Sequence, residues 1–160
     1  MRLLLLLLIG SLTACGFQLQ GQHRWPEEWP GYRVDYSMRQ PGIYHFAQQL
    51  DEALQYRGLK PGASPSFTLK LVGLRDSKSV AAIGGDGKAV EYELRQEIDF
   101  QIIAEQKPSA VFTLAENRRL SFDPAEVLAK EVEEARLRQA LSRELIELMI
   151  LRAENELRSR

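Results

Sequence analysis

Few residues in this chain of 160 residues could do covalent or metal chemistry. There is one cysteine, Cys15, and there are two histidines, His23 and His45. Neither histidine has a cysteine, serine or aspartate at the spacing of a catalytic or metal-binding motif. A single cysteine forms no disulfide within its own chain. The sequence therefore predicts no catalytic residues, no metal and no cofactor, and it indicates that the protein is not an enzyme.

Cys15 follows a segment that is typical of a secretory signal peptide. Met1-Arg2 gives a positive start, residues 3–9 are apolar, and small or weakly polar residues follow. The apolar run is much shorter than the roughly 20 residues that a membrane-spanning helix needs. Leu12-Thr13-Ala14-Cys15 resembles the bacterial lipobox, in which the chain is cut before the cysteine and the cysteine is acylated. We therefore expect residues 1–14 to be a signal peptide and Cys15 to be the lipid attachment site, with a buried structural cysteine as the alternative.

Lipidation of the lipobox type would attach three acyl chains at Cys15. They would hold the protein on a membrane, because a single acyl chain gives only marginal binding and three chains bury far more methylene groups. Gly16 follows the cysteine. An Asp at this position would resemble an inner-membrane retention signal, and this chain does not have it. We therefore expect the outer membrane. Residues 15–31 read as an extended, proline-restricted tether, in which Trp25 and Trp29 either contact lipid headgroups or cover the core.

Six cations form the second group with a chemical role, which is the binding of an anion. They fall near the ends of predicted strands that should return to the same edge of the sheet. Arginine and lysine bind phosphate oxygens through strong charge-assisted hydrogen bonds. Carboxylates such as Asp76 and Glu116 belong to the same edge, so exposure to water is the alternative role for each cation. The candidate anion-binding residues are Arg75, Lys78, Lys88, Arg118, Arg119 and Lys130.

Two other ligand classes find less support in the sequence. The formal net charge is -1, and such a balance gives no support for nucleic-acid binding. Gly84-Gly85-Asp86-Gly87 resembles part of a phosphate-binding loop, but the Gly-Lys-Ser/Thr and helix of that motif do not follow. We interpret it as a hairpin turn.

The elements that position these residues follow from the spacing of apolar side chains. Alternation predicts strands, and a recurrence every three or four residues predicts helices. Asp123-Pro124 reads as a helix N-cap and first position. The segment from Arg75 to Lys88 is predicted to be a loop. The predicted elements are strands at 32–36, 67–71, 90–102 and 111–122, and helices over 43–57 and from 123 towards the C-terminus.

This order, β-α-β-β-β-α, predicts a two-layer α/β sandwich in which two helices pack on one face of a four-stranded mixed sheet. Residues 32–160 are expected to form a single domain. Along the third predicted strand the apolar positions are interrupted only at Gln96, and the opposite positions are polar. We expect one face of this strand to be wet. Its residues are Glu91, Glu93, Arg95, Glu97 and Asp99.

Three stretches carry a resemblance to a known family. They are Cys15-Gly16-Phe17-Gln18-Leu19, Ala89-Val90-Glu91-Tyr92-Glu93-Leu94, and Ser121-Phe122-Asp123-Pro124 followed by Leu128-Ala129-Lys130-Glu131. In this order the chain resembles the LptE family of outer-membrane lipopolysaccharide-assembly lipoproteins. Gln20 stands where the family often has arginine.

The resemblance implies a lipoprotein that plugs the β-barrel LptD in a one-to-one complex and helps it assemble. It further implies lipopolysaccharide binding by cations such as Lys130 and Lys88, on the periplasmic side or inside the barrel lumen. The alternatives are a structural lipoprotein of another envelope assembly machine and a lipid-anchored hydrolase, although the sequence offers the hydrolase neither a nucleophile with its base nor a metal site.

Overall fold

A computed structural model of the chain describes Trp25, residues 28–123 and residues 127–159. Cys15 and the predicted signal peptide lie outside the described residues. No described helix combines the length and the apolar character needed to cross a membrane. The elements are β1 (Gly31–Asp35), α1 (Ile43–Tyr56), β2 (Lys60–Pro61), β3 (Phe67–Ile83), β4 (Ala89–Ala104), β5 (Lys107–Pro108), β6 (Phe112–Ser121) and α2 (Val127–Arg158).

The strands form one mixed sheet in the order β2-β1-β3-β4, and both β5 and β6 pair with the far side of β4. β1 runs parallel to β2 and β3, and the other pairs are antiparallel. The prediction of an α/β fold with two helices and a mixed sheet is confirmed. The prediction of four strands is wrong, because β2 and β5 add two-residue strands, which are too short to show an alternation of side chains.

The long hairpin of β3 and β4 extends well beyond the length that the sequence suggests. β3 was expected to end at Leu71, but it continues to Ile83, which pairs with Ala89. The prediction of a loop from Arg75 to Lys88 is therefore wrong, and the turn is confined to residues 84–88, where Gly84 N donates to Lys88 O at 2.8 Å. The outer half of β3 is almost entirely exposed. Because this half buries few side chains, its sequence shows no alternation of apolar residues. Pairing with β4 keeps it extended.

A β-bulge changes which residues of β3 face the helices. Leu71 pairs with Phe100, whereas Gly73 pairs with Asp99, so β3 carries one extra residue at this point. Before the bulge the buried, odd-numbered Phe67, Leu69 and Leu71 face the helices. From Leu74 to Val80 the even-numbered residues do so, because successive side chains of a strand point to opposite sides.

The main hydrophobic core lies between the base of the sheet, α1 and the second half of α2. Tyr32 of β1 is fully buried, and its hydroxyl donates to Asp51 Oδ1 of α1 at 2.5 Å. Burial raises the pKa of Tyr32 well above its ordinary value, and the bond to Asp51 adds to this shift. Trp25 stacks on Phe67 with ring centroids 5.3 Å apart. Of the two roles considered for Trp25, the structure shows the covering of the core.

A second, smaller cluster lies towards the tip of the hairpin. Leu94, Leu120 and Leu141 are buried there, and Tyr92 and Leu137 pack against them. This cluster joins β4 and β6 to the first half of α2. A row of polar residues, with Gln96 at its centre, separates it from the main core.

Candidate functional site

Three rows of side chains cross β3, β4 and β6 on the side of the sheet that faces the helices. The strand register defines them, because paired residues of neighbouring strands lie side by side. The row nearest the base is polar, the middle row has a cation at each end, and the row nearest the tip is apolar and aromatic. The rows are Asp76–Gln96–Glu116, Lys78–Leu94–Arg118 and Val80–Tyr92–Leu120.

The structure does not bring the six sequence-predicted cations into one cluster. Lys78 and Arg118 lie on the helix side of the sheet, whereas Arg75 and Arg119 lie on the opposite side. Arg118 and Arg119 are neighbours in one strand, so their side chains must point to opposite sides. Lys88 lies at the tip of the hairpin, and Lys130 lies in the first turn of α2. The strand topology predicted from the sequence therefore places most of these cations near the tip of the hairpin, but it does not indicate on which face of the sheet each one lies.

Each of these cations lies close to a carboxylate. On the helix side, Lys78 Nζ is 2.6 Å from Glu134 Oε2, and Arg118 binds Glu144. The remaining pairs are Arg75 with Glu97 and Asp99, Arg119 with Glu91 at 3.5 Å, Lys88 with Asp86 at 3.7 Å, and Lys130 with Glu133 at 2.9 Å.

The exposure of the cations differs widely. The side chain of Lys88 is 73% exposed, and that of Lys130 is 17% exposed. Lys88 is the most accessible of the six, and its pair with Asp86 is long. Lys130 is mostly covered even though it stands at the start of a helix. A ligand that approaches the tip of the hairpin therefore meets Lys88 first.

The outer face of the sheet is an array of charged and polar groups centred on Arg75. Its Nε donates to Glu97 Oε1 at 3.0 Å, and its Nη1 donates to Asp99 Oδ2 at 2.6 Å. Thr113 Oγ1 of β6 donates to the other oxygen of Asp99 at 2.6 Å. Hydrogen bonds from Arg75 lower the pKa of both carboxyl groups, and Arg95 adds to this effect at Glu97. The predicted polar face of β4 is confirmed as the side away from the helices.

On the helix side, charged side chains of α2 contact the hairpin. Glu134 accepts hydrogen bonds from Lys78 and from Arg138, and the Lys78 bond is the main cause of its lowered pKa. Lys78 Nζ also lies 4.6 Å from the centre of the Tyr92 ring, within the range of a cation–π contact. Arg138 Nη1 lies 3.6 Å from Asp76 Oδ1. The first half of α2 is thus held to the sheet largely by ion pairs.

Gln96 is the centre of a buried polar bridge between β3, β4 and α2. The sequence indicates the polar residue but not its partners. It is 5% exposed. Its Nε2 donates to Asp76 Oδ1 at 2.9 Å, and its Oε1 accepts from Ser142 Oγ of α2 at 2.8 Å. The signal in the sequence was the single polar residue among the apolar positions of β4. Its partners were not foreseeable, because Asp76 was assigned to a loop.

A groove of about 520 Å³ lies between α1 and α2, away from the sheet. None of the six predicted cations lines it. Its charged residues are two carboxylates and two arginines, so it shows no preference for an anion. They are Glu52, Arg57, Arg143 and Glu147. Among the described residues, no group of three or more histidine, cysteine or carboxylate side chains is arranged to hold a metal.

Comparisons with known proteins agree with this architecture. A family model described as LptE, lipopolysaccharide-assembly, matches residues 33–153. A curated protein of Photorhabdus laumondii, named LPS-assembly lipoprotein LptE, is 27% identical over 141 residues, which is 87% of this chain and 76% of that protein.

Two solved structures share the fold. Rare lipoprotein B of Shewanella oneidensis has a TM-score of 0.67 and 19% identity, with 80% of this chain and 97% of that chain covered. Lipoprotein B of Nitrosomonas europaea has a TM-score of 0.68 and 18% identity, with 84% and 87% covered.

Proposed function

Since this chain belongs to the LptE lipopolysaccharide-assembly family, we propose that it is an outer-membrane lipoprotein that plugs and helps assemble the β-barrel LptD. In this proposal residues 1–14 are removed, Cys15 carries the lipid, residues 15–31 form the tether, and residues 32–160 form the domain that enters the barrel from the periplasmic side. The protein would act by binding and would carry out no chemical step.

The observation that carries the plug proposal is the outer face of the sheet. The interior of a membrane-spanning β-barrel is polar. A charged face enclosed there loses contact with bulk water, and an unpaired charge would then be costly. On this face Arg75 binds Glu97 and Asp99, and Arg119 lies beside Glu91. Most of its charges therefore carry their own partners and remain compensated in a confined space.

The first experiment is a pull-down of the full-length, C-terminally tagged protein from its own outer membrane in mild detergent. Mass spectrometry should identify one large β-barrel protein at a one-to-one ratio. An unrelated outer-membrane lipoprotein with the same tag is the control. Recovery of the protein with a different envelope complex would instead support the alternative, a structural subunit of another assembly machine.

Cysteine labelling tests whether the outer face is enclosed. Glu93 is the suitable position, because among the described residues its side chain accepts one hydrogen bond, from Asn117 Nδ2 at 3.3 Å, whereas Glu97 is held by two arginines. With Cys15 acylated, the new thiol of Glu93→Cys should react much more slowly when the barrel is co-expressed. Equal labelling with and without the barrel would show that this face is not enclosed.

We further propose that the cations near the hairpin tip bind phosphates or acidic sugars of lipopolysaccharide. The double variant Lys88→Asp/Lys130→Asp should bind purified lipopolysaccharide at least several-fold more weakly. The matched control is Lys60→Asp/Lys70→Asp, which reverses two exposed lysines at the base of the sheet. If both double variants fold and bind as the wild type does, Lys88 and Lys130 are not part of the site.

A further inference from the structure

The geometry points to a second anion-binding site, formed by Lys78 and Arg118 on the helix side of the hairpin, which α2 partly closes in the ligand-free protein. This inference rests on the proposed function, since it concerns how a phosphorylated amphiphile such as lipopolysaccharide is held. It differs from the tip site in its residues and in having a cover.

The two cations flank one apolar residue. Lys78 and Arg118 both pair with Leu94, one from each neighbouring strand, so their backbones lie roughly 10 Å apart, at twice the usual strand spacing. The adjacent row towards the tip is Val80–Tyr92–Leu120. A surface with two cations beside an apolar row is complementary to a molecule that joins phosphate groups to acyl chains.

In the ligand-free protein, a carboxylate of α2 forms an ion pair with each of the two cations. Glu134 Oε2 lies 2.6 Å from Lys78 Nζ, and Glu144 binds Arg118. These carboxylate oxygens stand where phosphate oxygens of a ligand would bind. The helix therefore competes with the ligand for both cations and covers part of the surface: Leu120 is 1% exposed, whereas Val80 is 53% exposed and the side chains of Lys78 and Arg118 are 35% and 40% exposed.

The part of α2 that forms this cover is weakly anchored compared with the rest of the helix. Its second half buries six apolar side chains in the main core, namely Leu145, Ile146, Met149, Ile150, Ala153 and Leu157. The first half contributes buried Leu141 and partly buried Leu137 to the small cluster, while its Leu128 and Val132 are 78% and 55% exposed. Segments with few buried apolar contacts open at lower free energy than the core does.

The contact beneath the cover is also incompletely satisfied. Arg138 Nη1 is buried, and within the part of the chain that the structure describes it makes no hydrogen bond, because Asp76 Oδ1 lies 3.6 Å away. A buried donor whose acceptor lies beyond hydrogen-bond distance stabilises the closed arrangement less than a bonded donor would. The boundary between the two halves of α2 falls near Ser142, which is tied to Gln96. Opening up to this bridge would release Lys78 from Glu134 and uncover the rest of the apolar row while the main core stays intact. Arg118 would be released when a ligand displaces Glu144, which lies two residues beyond the bridge.

The test weakens the cover without touching the cations. Full-length protein in mild detergent carries Glu134→Gln/Glu144→Gln, and the matched control is Glu131→Gln/Glu147→Gln, which makes the same charge change on exposed positions of the same helix. The first variant should bind purified lipopolysaccharide three- to tenfold more tightly than the wild type. The control also breaks one ion pair of α2, that of Glu147 with Arg57 of α1, but does so away from Lys78 and Arg118, so it should bind unchanged. Adding Lys78→Gln/Arg118→Gln to the first variant should abolish the gain.

The outcomes separate this inference from the proposed function. If the wild type binds lipopolysaccharide and Glu134→Gln/Glu144→Gln binds no more tightly than the control, the closed site is refuted and the function stands. If none of the proteins binds, the proposed ligand is refuted, and hydrogen exchange still decides the cover. In the ligand-free protein, amides of residues 128–138 should exchange at least tenfold faster than those of residues 145–157. Equal protection of both segments would overturn the closed-site inference.

Discussion

The buried bridge between Gln96 and Ser142 allows a prediction with a worked magnitude. In Gln96→Leu, the hydroxyl of Ser142, which is 9% exposed, loses its acceptor, and a buried polar group without a partner costs about 1–3 kcal/mol. The leucine recovers part of this, because apolar burial contributes about 25 cal/mol per Å². We expect a net loss of about 1–2 kcal/mol in the free energy of unfolding. Ser142→Ala alone should cost about 1 kcal/mol, since Gln96 Oε1 is then unpaired.

The double variant Gln96→Leu/Ser142→Ala is the decisive measurement. It removes both partners, so no buried group is left unsatisfied, and its stability should lie within about 0.5 kcal/mol of the wild type. Urea unfolding followed by circular dichroism at neutral pH gives all four values of the cycle. If the double variant is as unstable as the sum of the single variants, the two side chains do not depend on each other and the reasoning is refuted.

Two further predictions concern charge and burial. The pKa values of Glu97 and Asp99 are lowered in the folded protein. The contribution of these two carboxylates to stability is therefore complete above their unfolded pKa values, near pH 4, and is lost as the pH falls through the folded values. In Arg75→Gln the urea midpoint should fall less steeply between pH 5 and pH 2.5 than in the wild type. Trp25 is 8% exposed, so Trp25→Ala should lose about 3 kcal/mol, whereas the half-buried Trp29→Ala should lose clearly less; equal losses would show that the burial of Trp25 contributes nothing specific.

The elements that bury an apolar face could be predicted from the sequence. The base of β3 and most of β4 are located by the alternation of apolar residues, at Phe67, Leu69 and Leu71 and at Leu94, Ile98 and Phe100. The alternation arises because one side of each strand is buried and the other contacts water. The outer half of β3 could not be found in this way. Its side chains contact water on both faces, so neighbour pairing alone determines its conformation.

The candidate anion-binding residues show a similar division. Antiparallel topology correctly brings Lys88 and the end of β6 to the same region. It does not say on which side of the sheet Lys78 or Arg75 lies, because the bulge between Leu71 and Gly73 changes the side for the residues of β3 that follow it as far as Val80. The ion pairs of α2 with the hairpin, such as Glu134 with Lys78, depend on that assignment and therefore could not be anticipated either.

The bulge and the register together restrict how a hairpin of this kind can change in length over evolution. Adding paired residues at the tip, between Ile83 and Ala89, leaves every existing pair in place, so such insertions are structurally neutral. Inserting a single pair near Asp76 would instead turn Lys78 and Leu94 to the outer face and separate them from Arg118 of β6. Related chains should therefore differ in the reach of their hairpins mainly at the tip, and insertions nearer the base should come in steps of two pairs.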